Sequence, residues 1–443
     1  GTVYTMAEGE EPGLASLVIE DGVIREIIHG DIENAEHKFP QDTRIYDATG
    51  MLVAPGFVDI HIHDEYSGGA PVVQRAMLSQ GVTAGLSGNC GSGPLFPDSA
   101  ALHPHPMVNL YYLVGNCVLR AKAGQFDRYL PATNEQIGVM RDLLRESMEL
   151  GAMGVSLGLE YEPGASPEEV DALAAVVAEY DGFISAHIRF DDKRCIDAVQ
   201  EVISISRKHD VRVQVSHLAS MTSFHTGKCV DLITSASAQG FKVTFDCYPY
   251  AAFCTNIGSA VFDDGFYERW GNKGPENLEA VSGKFRGQRL DWESFKEMRR
   301  DEPNGLVVAH IMNMDEVEAC IANPNCIIAS DTFYAGEGIH PRTYGTFPKA
   351  LSILRRHGYN WNDALKKVTT APADAMRIKS GRLRPGGTAD VVIFDSENFE
   401  DRATYQDPFK PPTGVKLVMV NGQVALDGGK LSSIPYGSFC KRP

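Results

Sequence analysis

No CxxC pair occurs anywhere in the chain, and its nine cysteines are an odd number. A complete disulfide framework is thereby disfavoured. A reducing cytosol suits such a sequence, and any special cysteine reads better as a ligand or nucleophile than as a staple. Long apolar runs are also missing: none approaches the ~20 residues of a membrane span, and the first residues lack the charged-then-apolar layout of a signal peptide. The expectation is a cytoplasmic location with no membrane partner. Positive charge is in short supply, with 41 Lys and Arg against 58 Asp and Glu and a formal net charge of −17. That field disfavours a nucleic-acid backbone as partner, although one local arginine can still receive a small anion. Low-complexity tracts and solenoid repeats are absent. What is present, 43% hydrophobic and 22% charged residues over 443 positions, fits a folded barrel of ~250 residues or more with a smaller companion domain.

The two ends of the chain share one style. Leu17 to Glu20 and Val23 to Ile28 flank Asp21-Gly22, and Val418 to Val420 leads into Asn421-Gly422 before Gln423 to Ala425. Asp-Gly and Asn-Gly between β-branched runs are strong hairpin signals. Residues 1–54 and 383–443 are therefore expected to form one small β-sandwich domain. The middle, 55–382, alternates short apolar strands such as Val82 to Ser87, Phe183 to His187 and Val211 to His217 with helical stretches such as Asn134 to Leu150. About eight such units predict an α/β fold, a (β/α)8 TIM-type barrel. From about 248 to 300 the rhythm breaks, which predicts an inserted lid.

Chemistry concentrates where strands end. In Pro55-Gly56-Phe57-Val58-Asp59-Ile60-His61-Ile62-His63, residues two apart on a strand share a face, so His61 and His63 offer two imidazoles side by side. The bland alternative is two polar residues on an exposed strand, but the apolar flank argues for burial, where unpaired imidazoles are costly. Cys90 follows one strand, His187 and His217 end two more, and Asp331 ends Cys326 to Ser330. Each taken alone has an ordinary reading, as a small core thiol, a satisfied core histidine or a helix cap. Together six ligand-type side chains at one face suffice for two metals with a bridging ligand, and thiolate with imidazole points to zinc.

The PGFVDIHIH segment with the later histidines and the strand-end Asp331 resembles the amidohydrolase superfamily. Gly88-Asn89-Cys90-Gly91, Gly158-Leu159-Glu160-Tyr161-Glu162-Pro163-Gly164 and His340-Pro341-Arg342 through Phe347-Pro348 are similar to its D-aminoacylase branch, the N-acyl-D-amino-acid deacylases. The resemblance implies that Cys90, His187 and His217 hold a tight zinc, with His61, His63 and Asp331 at a weaker second position sharing Cys90. It implies that Asp331 is the general acid/base toward a metal-activated water, and that Arg342 and Tyr248 meet a substrate carboxylate. Tyr161 is a further candidate for substrate contact. Two positions depart from the pattern: Ala219 stands where the branch carries a lysine, and Cys254 where it carries a small hydroxyl residue.

The expected activity is zinc-dependent hydrolysis of the amide bond of an N-acyl-D-amino acid, with a small-molecule substrate and a homo-oligomer left open. Hydrolysis of cyclic amides or dipeptides, or deamination, is the second reading. A non-catalytic metal-binding protein is the third, and Asp331 beside a full ligand set argues against it.

Overall fold

The computed structural model describes residues 1–30, 39–336 and 339–443. Eight parallel strands, here β1 to β8, run Phe57–Asp59, Val82–Ser87, Asn109–Gly115, Gly154–Gly158, Phe183–His187, Arg212–Val215, Val243–Cys247 and Cys326–Ile328, each hydrogen-bonded to the next. The ring closes between its first and last members: Asp331 N–H donates to the His61 carbonyl at 2.8 Å, and Thr332–Phe333 pairs in parallel with Ile62–His63.

These strands are apolar on both faces because both faces are covered. Phe57 turns outward onto Phe347 and Phe394, with ring centroids at 5.9 and 6.1 Å. Its neighbour Val58 joins Ala84, Leu86, Leu113, Phe183 and Ile327 in a second cluster, packed on Met376. Helices such as Asn134–Leu150, Pro167–Glu179, Cys195–His209 and Thr226–Ala238 fill the outer layer. Their starts follow local rules. Thr133 and Gln136 form a reciprocal capping box, and Ser166 caps a helix that opens on Pro167.

The strand Asn109–Gly115 has no counterpart in the sequence reading. Its signal is the run Leu110 to Val114, all buried, which lies close behind a proline- and histidine-rich stretch without a long helix to announce it. The irregular stretch expected over about 248–300 is joined by pairing to a strand beyond it. Phe253–Asn256 and Leu278–Ala280 both pair antiparallel with Leu306–Ala309, giving a three-stranded sheet that needs its last strand at 306–309.

Both chain ends meet in a second eight-stranded sheet. Leu52–Pro55 lies between Thr2–Val3, parallel to it, and Val391–Phe394, antiparallel to it. The outer hairpins turn at Asp21-Gly22 and Asn421-Gly422, where all four residues have positive φ. This is the type I′ geometry whose twist suits adjacent strands. Ala15 and Ile24, from one end of the sheet order, share an apolar cluster with Val391 and Leu417 on strands three or more places away, and with Val53. The sheet therefore curls over its own core. No helix among the described residues is long and apolar enough to cross a membrane.

Candidate metal centre

In a parallel barrel the strand ends point to one rim, and loops there can depart from ideal backbone. Cys90, His217 and Asp331 all do so: their φ angles are 51°, 33° and 51°. Left-handed backbone at a non-glycine residue costs of order 1–3 kcal/mol and persists where surrounding contacts enforce it. Glycines around Cys90 make its loop possible. A Cβ at Gly158 would come within 2.3 Å of the Cys90 carbonyl, and one at Gly91 within 2.5 Å of Cys117 Sγ.

The six ligand-type side chains converge. Cys90 Sγ lies 3.4 Å from both His61 Nε2 and His217 Nε2, and His187 Nδ1 lies 3.1 Å from His217 Nε2. Asp331 Oδ1 is 3.4 Å from His61 Nε2 and 3.3 Å from His63 Nε2. Two sets of three donors lie within 4.8 Å of one another, His61–Cys90–His217 and His61–His63–Asp331. In this grouping His61 belongs to both sets, and His187 stands at the edge of the first.

Every histidine is braced through the nitrogen that faces away. His61 Nδ1 meets Asp246 Oδ2 at 3.4 Å, His63 Nδ1 meets Glu65 Oε1 at 2.9 Å, His187 Nε2 meets Glu160 Oε2 at 3.0 Å, and His217 Nδ1 meets Ser220 Oγ at 2.9 Å. Such outer partners fix ring orientation and tautomer, leaving the inward nitrogen free to coordinate. Asp246 does more, accepting from the His217 backbone N–H at 2.7 Å and from Gln214 Nε2 at 2.6 Å.

The electrostatics suit a cation. Burial alone would raise the Cys90 thiol, but His61 and His217 hold it well below the usual thiol value, so a thiolate stands ready. Burial would likewise raise Asp331. The Arg342 guanidinium, His61 and His63 overcome this and hold the carboxyl well below the usual carboxylate range. Burial pushes Glu160 up to about 7, reinforced by Asp191 and opposed by His187. A soft thiolate, a carboxylate and four oriented imidazoles form a donor set that fits zinc.

Beside this cluster sits Arg342, 1% exposed and near the start of the helix Arg342–Arg356. Its Nη1 lies 2.8 Å from Asp331 Oδ2, and its Nε has no hydrogen-bond partner among the described residues. The guanidinium carbon stands 4.7 Å from the Tyr248 ring centre. The Tyr248 hydroxyl donates to Met312 Sδ at 3.8 Å. The Tyr161 ring lies 4.5 Å from His187, and its hydroxyl is 3.2 Å from Thr255 Oγ1. Ala219 adds only a buried methyl after His217, and Cys254 stands on the strand Phe253–Asn256.

The amidohydrolase family profile matches residues 44–202 and 186–426. The chain belongs to the amidohydrolase family. Within it, the chain is 31% identical to the N-acyl-D-glutamate deacylase of Alcaligenes xylosoxydans xylosoxydans over 432 residues, 89% of this chain and 86% of that protein. A solved D-aminoacylase structure, from work on its binuclear metal centre, superposes with a TM-score of 0.88 at 25% identity, over 100% of this chain and 98% of the other. The N-acyl-D-glutamate deacylase of Bordetella bronchiseptica, solved with zinc and a phosphonate inhibitor, gives a TM-score of 0.85 at 28% identity with the same coverage. These likenesses put the chain in the N-acyl-D-amino-acid deacylase branch of the amidohydrolases.

Several residues that shape this amidohydrolase site escape a reading of the sequence. Asp246, Glu65, Glu160 and Ser220 hold the histidines but sit in no ligand-like spacing. Asp246 carries the one available signal, as a lone acid closing the strand-like run Val243-Thr244-Phe245. Arg342, expected as an open receptor for a carboxylate, already faces one of the chain's own, Asp331.

Proposed function

We propose that the protein is a zinc-dependent deacylase of N-acyl-D-amino acids. The observation that carries this reading is the position of Asp331, which faces His61 and His63 through one oxygen and Arg342 through the other. Cys90, His187 and His217 would hold a zinc ion, with His61, His63 and Asp331 available to a second. When bound, the metal would polarise the scissile carbonyl and lower the pKa of a coordinated water from ~15.7 toward ~7.

The chain's own residues supply the remaining steps. Asp331 takes a proton from the attacking water and delivers it to the departing amine. Its low basicity in the free protein follows from Arg342 together with His61 and His63. A substrate carboxylate sharing that guanidinium draws charge away from Asp331 at the moment the base is needed. Arg342 is suited to this double task because its planar fork offers five N–H groups, and its Nε has no hydrogen-bond partner among the described residues. Tyr161, against His187, is the candidate donor toward the developing oxyanion.

The test is a panel of N-acetyl and N-formyl D- and L-amino acids, dipeptides and cyclic imides, assayed with added zinc. Turnover confined to the D-series of acylated amino acids is the expected result. Turnover of cyclic imides or dipeptides alone would replace this reading with another amidohydrolase activity.

A further inference from the structure

The terminal sheet reaches into the neighbourhood of Arg342. Tyr405 lies in the irregular segment between Val391–Phe394 and Val415–Val420, so it is carried by the sheet domain and not by the barrel. Its ring stands edge-on to His340, 5.1 Å between centroids at 86°, and lies 4.7 Å from His310 and 6.5 Å from Tyr250. It packs on an apolar patch made of Ala252, Cys254, Leu306, Val308 and Phe333. Phe333 in turn lies under the guanidinium, with Arg342 Cζ 5.8 Å from its ring centre. Burial pushes the Tyr405 phenol up, and the positive charge of Arg342 opposes the rise. The segment is seated by further contacts, with Asp401 Cβ 3.3 Å from where a Gly345 Cβ would lie and Phe409 6.4 Å from Tyr344.

The surrounding hydroxyls are already engaged. Tyr248 donates to Met312 Sδ, Tyr161 pairs with Thr255, and Tyr250 donates to the Pro341 carbonyl at 3.4 Å. The Cys254 thiol is a weak donor. Tyr405 alone of these tyrosines has a hydroxyl with no hydrogen bond among the described residues. Arg342 Nε, which is fully buried, also has no hydrogen-bond partner among the described residues. A carboxylate has two oxygens and about four acceptor sites, and Arg342 must share its fork with Asp331.

We propose that Tyr405 is a substrate-binding residue, its hydroxyl donating to the carboxylate that Arg342 receives. The sheet domain thus contributes a side chain to substrate recognition. The proposal rests on the deacylase reading above.

The test compares the zinc-loaded wild-type protein with Tyr405→Phe, which keeps the ring contacts to His340, His310 and Tyr250. Each is assayed on an N-acyl-D-amino acid and on its C-terminal carboxamide, with kcat and KM read separately and zinc content and Tm measured alongside. A hydrogen bond to a charged group is worth about 1.5–3 kcal/mol. The expected result is therefore a rise of about tenfold or more in KM for the carboxylate, with kcat, zinc content and the carboxamide kinetics unchanged. An unchanged KM for the carboxylate overturns the proposal, as does an equal rise for both compounds, which would mark a packing role only. A wild-type protein that hydrolyses neither compound removes the deacylase reading itself, and the proposal falls with it.

Discussion

The curled terminal sheet and the metal-donor rim of the barrel obey opposite rules. In the sheet, positive φ falls in Asp-Gly and Asn-Gly turns that match the twist of their strands, and local preference agrees with the fold. At the rim, positive φ falls on Cys90, His217 and Asp331, and a thiol, carboxylates and imidazoles are buried together. Such conflict between local rule and final structure is expected where a site is held ready for chemistry. The sheet follows the local preferences of its turns, while the rim gives up stability for a preset donor geometry.

Substitutions should separate the two regions. The largest effect is expected at Cys90→Ala, which removes the thiolate between His61 and His217. Turnover should fall by at least about a thousandfold with loss of the metal-activated water, and elemental analysis should find the tight zinc gone while circular dichroism stays native. Next comes Asp246→Ala, which unbraces His61 and His217 together. Metal affinity should drop roughly 10–100-fold, read by chelator competition. Arg342→Ala should raise KM for carboxylate substrates by tenfold or more and leave uncharged amides much less affected. Unchanged kinetics would point to a different anion receptor.

The effect expected in the sheet is one of stability alone, with none on turnover. Asp390 accepts from the Asn421 backbone N–H at 2.8 Å and from Asn109 Nδ2 at 3.1 Å, yet burial pushes it from 3.8 up to about 6. The folded carboxyl thus holds its proton more tightly than the unfolded chain does. Its stabilising contribution is complete below about pH 4 and is lost as pH rises through about 6, in all about 3 kcal/mol. Urea unfolding of wild type and Asp390→Asn between pH 4 and 7 should show the wild-type advantage shrinking by up to that amount, with turnover per folded molecule the same in both.

The same contrast governs what a reading of the sequence can reach. Turn dipeptides and the His61-Ile62-His63 spacing are local, and they identify hairpins and a pair of imidazoles without coordinates. Cys90, His187, His217 and Asp331 are legible because parallel strands carry their ends to one rim, so a position at a strand end is a position in space. Asp246, Glu160 and Glu65 are not legible, because acids are common and bracing leaves no periodic mark. Nor are the Arg342–Asp331 contact and the approach of Tyr405 to His340. Both depend on how a loop crosses the rim, which no pattern in the intervening residues records. The strand Asn109–Gly115 is apolar enough to find, but the helix before it, Phe96–Leu102, has only seven residues, and the His- and Pro-rich stretch 103–106 parts the two.

The central claim is that side chains spread from His61 to Asp331 hold one metal centre. Crystallography of the zinc-loaded protein with anomalous data collected at the zinc edge tests it most directly. The account predicts a strong peak about 2.3 Å from Cys90 Sγ and about 2.0–2.1 Å from His187 Nδ1 and His217 Nε2, with any second peak between His61, His63 and Asp331. A fully loaded crystal whose zinc lies elsewhere, with Cys90 bound to nothing, would contradict it.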